Sequence, residues 1–175
     1  SMIQDWAIKD NRLHGTIDIT LRAESGERFI LLRPPATLTS FEGDGLKVSK
    51  APLGKTDAYY ITAEASGRLT AKATFEMPLA SPAQGFPVPT GPAAMRKITL
   101  RWDQGGWEFQ SPQAARITKP DGLAATESGA VLILGPTDPA TITARLAQRD
   151  ISSEKTEFFA EVSNLFLPGP GVVNA

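Results

Sequence analysis

Leu13-His-Gly-Thr-Ile17-Asp-Ile19-Thr-Leu21-Arg22 is the stretch from which the fold is read. Its apolar residues Leu13, Ile17, Ile19 and Leu21 take the odd positions, while His14, Thr16, Asp18, Thr20 and Arg22 take the even ones. Successive side chains of a strand point to opposite faces, so this pattern predicts a strand with one buried and one wet face. Leu69–Met77 repeats the alternation, with Leu69, Ala71, Ala73, Phe75 and Met77 opposing Thr70, Lys72, Thr74 and Glu76. Ile98–Trp102 and Ala140–Leu146 carry it again. Arg28–Arg33 and Val131–Leu134 are continuous apolar runs, which predicts strands covered on both sides. Fifteen glycines and fourteen prolines are spread along the 175 residues. Both residue types break helices, and no window of helical length has a 3.6-residue apolar period free of them. The expected fold is therefore all-β, an antiparallel β-sandwich of about a dozen short strands. By parity, Ile17, Ile19, Leu21, Phe75, Ile98, Leu100, Ile142, Ala144 and Leu146 should be buried. Thr16, Thr20, Lys72, Thr74 and Thr143 should face solvent.

Blocks of similar sequence recur in the same order. Ile30-Leu-Leu-Arg33 parallels Ile98-Thr-Leu-Arg101, Lys47-Val-Ser-Lys50 parallels Arg116-Ile-Thr-Lys119, and Tyr59-Tyr-Ile61 parallels Val131-Leu-Ile133. Lys72-Ala-Thr-Phe75 likewise parallels Thr143-Ala-Arg-Leu146. The offset drifts from about 68 to about 72 residues, as small loop insertions would produce. This divides the chain into a first β-sandwich repeat over 3–79, a Pro/Gly-rich connection over 80–95 and a second repeat over 96–175. The stretch Pro78–Pro92 holds five prolines and favours extended backbone without ladder donors at those positions. It reads as a stiff connection between sheets, with Phe86 and Val88 available to pin it to a core.

Composition excludes several functions. The 18 basic and 19 acidic side chains give a net charge of −1, without the basic surplus that displaces counterions from nucleic-acid phosphates. The absence of cysteine removes disulfides, thiolate nucleophiles and zinc–thiolate sites. No apolar run approaches the ~18 residues of a membrane span. Ser1-Met2 reads as the remnant of a cleaved expression tag, and Asn164–Ala175 as the cut end of a longer chain or as a strand that docks back.

Catalytic patterns are thin. His14 is the sole histidine, and it falls on the wet face of a strand, so any Ser–His–Asp arrangement would depend on it alone. Asp103 and Glu108 flank Trp102 and Trp107 in Trp102-Asp-Gln-Gly-Gly-Trp107-Glu108, which reads as a β-hairpin with solvated rim carboxylates rather than an acid–base pair. Glu42-Gly-Asp44-Gly45 lacks the dense acidic alternation of a calcium loop and reads as a tight hairpin turn. Pro168-Gly-Pro-Gly171 lacks the N–H groups of a phosphate cradle. Neither a cofactor nor a metal is expected.

The aromatics offer the sharper functional candidates. Trp102, Trp107, Tyr59 and Tyr60 present flat faces able to stack on sugar rings, and adjacent Tyr59 and Tyr60 must point opposite ways along a strand. The parity of Trp102 with Ile98 and Leu100 predicts burial, leaving Trp107 as the ring to be exposed. In cadence the chain resembles immunoglobulin-like sandwich modules of large bacterial secreted or surface proteins, without the Cys…Trp…Cys hallmark of antibody domains. The functional expectation is a non-enzymatic interaction or scaffolding region of a larger exported or cell-envelope protein, placed in the periplasm, on the cell surface or outside the cell. The alternative is a carbohydrate-binding module. A protein or glycan is thus the expected partner, with no nucleic acid and no membrane insertion.

Overall fold

The computed structural model describes residues 1–81 and 84–147. The C-terminal stretch Asn164–Ala175 and the later part of the second repeat lie outside them. The described residues form thirteen strands and no α-helix. In chain order these are β1 Met2–Lys9, β2 Arg12–Ala23, β3 Arg28–Leu32, β4 Thr37–Glu42, β5 Leu46–Leu53, β6 Thr56–Ala63 and β7 Gly67–Pro78. They continue with β8 Phe86–Pro87, β9 Arg96–Trp102, β10 Trp107–Gln110, β11 Ala114–Thr118, β12 Ser128–Leu134 and β13 Thr141–Leu146. A seven-stranded sheet runs β11-β12-β9-β1-β2-β7-β4, and two three-stranded sheets run β10-β13-β8 and β3-β6-β5. The all-β, multi-sheet sandwich expected from the alternating patterns is what forms.

Strand β1 is the hinge of the large sheet. It pairs antiparallel with β2 and parallel with β9, so strands from both halves of the chain share one sheet. Its even residues Met2, Gln4, Trp6 and Ile8 are buried and its odd residues exposed. Met2 shares the inward parity of Trp6 and is buried with it in the core. Asp10 and Asn11, with φ of 49° and 56°, close the β1–β2 hairpin; these are residue types that tolerate two consecutive positive φ values.

Two expected hairpins are replaced by crossings between sheets. The turn after Trp102 hands the chain from the large sheet to β10, because both edges of β9 are already taken by β1 and β12. Glu42-Gly-Asp44-Gly45 does the same, leading from β4, bonded to β7, to β5, bonded to β6. A Gly-rich tetrapeptide reverses the chain either way: β9 has no free edge to offer β10, whereas β4 keeps one and β5 nonetheless pairs with β6.

The core lies between the inner face of the large sheet and the two small ones. Trp6, Leu13, Ile17, Phe75, Ile98, Leu100 and Leu132 meet Leu31, Ile61, Phe86, Phe109 and Ile142 in one apolar cluster. At about 25 cal/mol per Å² of apolar surface removed from water, this burial is the dominant favourable contribution to folding. Ile17, Ile19, Phe75, Ile98, Leu100, Ile142 and Ala144 are buried as expected. Leu21 is only half-buried, and Leu146, in the last register pair of the β10–β13 ladder, is 68% exposed. Parity fixes the face of a residue but not how far the core extends beneath it. Nor is Val131–Leu134 covered on both sides: Leu132 and Leu134 are buried, whereas Val131 and Ile133 look out from the opposite face, half-exposed.

The proline-rich connection stitches the small sheets together. Phe86 and Val88 are buried, Phe86–Pro87 pairs with β13, and Val88 N–H donates to the Ala140 carbonyl. On the other side, Arg33 N–H donates to the Pro89 carbonyl and Thr90 bridges Leu32. Gly91 is required in this seam, since a Cβ there would lie 2.1 Å from the Ile30 carbonyl oxygen.

The recurring blocks land in trios of like topology. The order β3-β6-β5 matches β9-β12-β11, with antiparallel pairing throughout each trio. Ile30 pairs with Tyr60 as Ile98 pairs with Leu132, in the alignment drawn from sequence. The first trio forms a small sheet and the second joins the large one.

Candidate functional site

The four aromatic candidates fall in two places. Trp102, on β9, is 6% exposed. Trp107, on β10, is half-buried against it, with ring centroids 5.1 Å apart and planes inclined by 36°. Phe109 also packs on Trp102, with ring centroids 6.2 Å apart. The Trp107 backbone N–H donates to Ser128 Oγ over 2.9 Å, which fixes the start of β10 where the chain crosses between sheets. Beside it a groove of about 310 Å³ is lined by Glu108, Gln110, Ile117 and Lys119 among others. Tyr59 and Tyr60 lie on β6, in a different sheet, and both are half-buried. The Arg28 guanidinium covers the Tyr60 ring at 3.9 Å, and Lys50 Nζ lies 5.7 Å from the Tyr59 ring centre. The rings thus form two separate groups rather than one platform.

The carboxylates singled out from sequence are surface groups. Asp103 is exposed, and Glu108 accepts a hydrogen bond from Arg145 at 3.2 Å across the β10–β13 ladder. His14 is half-exposed on the outer face, with Nδ1 3.4 Å from Glu76 Oε1; Arg12 lies 3.5 Å from the same carboxylate. Among the described residues, no three His, Asp or Glu side chains gather as metal ligands.

What sequence reading passed over is the outer face of the seven-stranded sheet. Both small sheets pack on the other side, and among the described residues the outward face of β1, β2, β7, β9 and β12 carries no second layer beyond the 120–123 loop, which lies over Gly129 and accepts a hydrogen bond from Arg101. The register aligns these residues in rows. One row runs Thr118, Val131, Thr99, Asp5, Thr16, Thr74 and Ser40 across all seven strands. Thr74 Oγ1 lies 2.7 Å from Thr39 Oγ1 and 2.6 Å from Ser40 Oγ. A depression of about 420 Å³ opens here, lined by Asp5, His14, Thr39, Glu76, Thr99 and Arg101. Two more follow along the β2–β7 pair, about 550 Å³ at Asp18, Thr70 and Lys72 and about 590 Å³ at Arg22 and Arg68. Gly15 lets the sheet stay thin beneath the first of them. Inside, the buried rings of Trp6 and Phe75 meet edge to face with centroids 5.9 Å apart, and a Cβ at Gly15 would lie 2.2 Å from Phe75. The signal for this face was present in the even residues of Leu13–Arg22, which were predicted to be wet. That no second layer of described residues covers them is tertiary information.

Arg96 stands apart as a fully buried cation under the sheet. Its guanidinium donates to the carbonyls of Gly135 at 3.0 Å, Thr137 at 2.5 Å and Thr90 at 3.5 Å. Gln4 Nε2 donates to Thr90 Oγ1 at 3.2 Å, so Gln4 and Arg96 converge on one buried threonine. Burial holds the Arg96 pKa below its ordinary value; Asp138 opposes that shift and Arg33 reinforces it. The carbonyls occupy this cation, and its role is to clasp the 135–137 loop to the connection.

No protein-family model matches the chain, and no curated protein matches it. Among solved structures, it is similar to an M1 zinc metallopeptidase from Deinococcus radiodurans, at 9% identity and a TM-score of 0.42 over 82% of this chain and 41% of that one. A mutant two-domain M1 zinc metallopeptidase bound to L-tryptophan gives 11% identity and a TM-score of 0.41 at the same coverages. The chain thus spans 41% of the length of these structures. At this depth the likeness lends no residue of this chain a role.

Proposed function

We propose that this chain is a non-enzymatic interaction or scaffolding region of a larger exported or cell-envelope protein, and that the outer face of the seven-stranded sheet is its working surface. One observation carries the reading. Among the described residues, seven strands bury one face against two small sheets and leave most of the other open, with hydroxyl and charged side chains in register and three shallow depressions among them. A rigid sheet presents such groups at fixed spacing, about 4.8 Å between strands, which suits recognition of an extended surface better than enclosure of a small molecule.

Native electrophoresis of cell extracts tests this reading. The wild-type protein should migrate in an assembly larger than a single chain. Ile3→Glu combined with Ala7→Trp should release it without lowering the melting temperature, since both residues are exposed. Wild-type migration as a single chain, or an assembly indifferent to these substitutions, would refute it.

The groove beside Trp107 supports a second reading, a glycan-binding cleft in which that ring stacks on a sugar. A glycan array checks it: a hit lost in Trp107→Ala at unchanged stability supports the cleft, and the absence of any hit removes it.

A further inference from the structure

The outer face is charged differently from the chain as a whole. By register and parity it presents Lys72 and Lys97 near its middle, Arg22 and Arg68 at one end, and Lys9, Arg12 and Arg101 at the other. Arg116 adds an eighth basic group on β11. Against these stand four acids, Asp5, Asp18, Glu42 and Glu76. The face is net positive on a chain whose total is −1. Two of its cross-strand pairs are of like charge: Arg22 is directly opposite Arg68, and Lys9 directly opposite Arg12. Like charges so placed destabilise a sheet. Among the described residues no acid forms an ion pair with Arg22 or Arg68. An anionic partner would relieve that repulsion.

The same face has an apolar centre. Ile3 is 47% exposed, and Ile133 lies in its row on the far side of Lys97, about 10 Å away at the usual strand spacing. Val131 borders them, half-exposed. An apolar patch ringed by charge is the anatomy of a protein–protein interface. The interspersed acids discriminate further. A uniform polyanion, such as a sulfated polysaccharide or an anionic bilayer, would press its charges on Asp5 and Asp18 as well as on the lysines. A folded protein of mixed charge can set carboxylates on Lys72, Lys97 and the Arg22–Arg68 pair, and basic or hydroxyl groups on Asp5 and Asp18.

Resting on the interaction reading above, we infer that this face docks a separate, net-acidic protein surface, with apolar contact at Ile3 and Ile133 and carboxylates on the surrounding basic residues. The partner's acids steer the encounter and fix its register, as charge complementarity does at protein interfaces. Binding then weakens with salt.

Site-specific photo-crosslinking in the cells that make the protein tests the inference. A photoreactive phenylalanine analogue is placed at Ile3 or Ala7 on the face, and at Ser49 or Arg145 on the small sheets as controls. The expected result is one adduct with a separate protein from positions 3 and 7 only. Lys72→Glu with Lys97→Glu should reduce its yield at least tenfold at unchanged melting temperature, as should 0.5 M added salt. Purified protein should leave heparin and vesicles containing 30% anionic lipid unbound at physiological salt. Binding of either probe, an adduct confined to the chain's own polypeptide, or an adduct indifferent to the charge reversals would overturn the inference. An adduct from the control positions alone would overturn it and leave a domain that interacts elsewhere. No adduct from any position would overturn both the inference and the interaction reading beneath it.

Discussion

Arg33 and Asp138, 105 residues apart in sequence, form a two-point ion pair that closes the seam between the small sheets. Arg33 Nη1 donates to Asp138 Oδ1 over 2.9 Å, and Nη2 donates to the other carboxylate oxygen. Both side chains are largely shielded, at 24% and 19% exposed, so the fork-to-fork geometry operates with little solvent screening. Arg96 lies in the same charge neighbourhood and is stabilised in its charged form by Asp138. One carboxylate thus answers two arginines.

Removing that carboxylate should therefore cost more than a surface pair does. Asp138→Asn is expected to lower unfolding free energy by roughly 2–3 kcal/mol, because Arg33 loses its partner while remaining shielded. Chemical denaturation of Asp138→Asn, Arg33→Gln and the double variant measures the coupling. Additive single losses would show that the pair contributes nothing as a pair.

Arg96→Lys keeps a charge but loses the planar fork that reaches three carbonyls. We expect a loss of about 1.5–3 kcal/mol, since an ammonium on a flexible stem cannot hold Gly135, Thr137 and Thr90 together. Burial depresses the folded-state pKa of Arg96 below its unfolded value, so the unfolded chain binds the proton more readily. Linked stability then rises with pH only on the alkaline side, between the folded and unfolded values, and is flat below both. Arg96 itself should therefore contribute equally at pH 6 and pH 8, and a loss in Arg96→Lys that shrinks as pH rises, read by denaturation at the two pH values, would report the introduced lysine titrating in the same desolvated site.

Gly15→Ala tests the close packing beneath the outer face. The new methyl would meet the Phe75 ring at 2.2 Å, and overpacking of this kind costs about 1–3 kcal/mol. Thermal melting of Gly15→Ala in a Phe75→Leu background should recover part of the loss. Equal losses in both backgrounds would place the strain elsewhere.

Strand register in β13 is checked by neighbours of opposite parity. Ile142→Ala should cost about 2–5 kcal/mol as a cavity in the core, and Thr143→Ala well under 1 kcal/mol. The tryptophans offer a graded version of the same comparison. Trp102→Ala should cost about 3–5 kcal/mol, and Trp107→Ala less, because that ring is only half-buried. Equal losses at the two tryptophans would mean that Trp107 contributes as core.

By itself the sequence determined which residues face inward. Period-two alternation in Leu13–Arg22, Leu69–Met77 and Ile98–Trp102 follows from backbone geometry and solvation, both local, so the parity of Ile17, Phe75 and Leu100 was legible without a structure. The same local rule holds in Met2–Lys9, but polar Gln4 on the inner face and apolar Ile3 and Ala7 on the outer one blur the alternation there. Only the tertiary structure decided which strands share a sheet. The turns at Glu42–Gly45 and Asp103–Gly106 are competent hairpins in isolation and become crossings: β9 has both edges claimed by β1 and β12, while β4 ends the large sheet and β5 pairs with β6 instead of with it. It also decided that the wet face of β2 belongs to a seven-stranded surface that the small sheets leave open, and that Arg22 stands opposite Arg68. Pairing across tens of residues depends on the competition among all free edges for partners and among all apolar faces for cover, and no local stretch of sequence records its outcome.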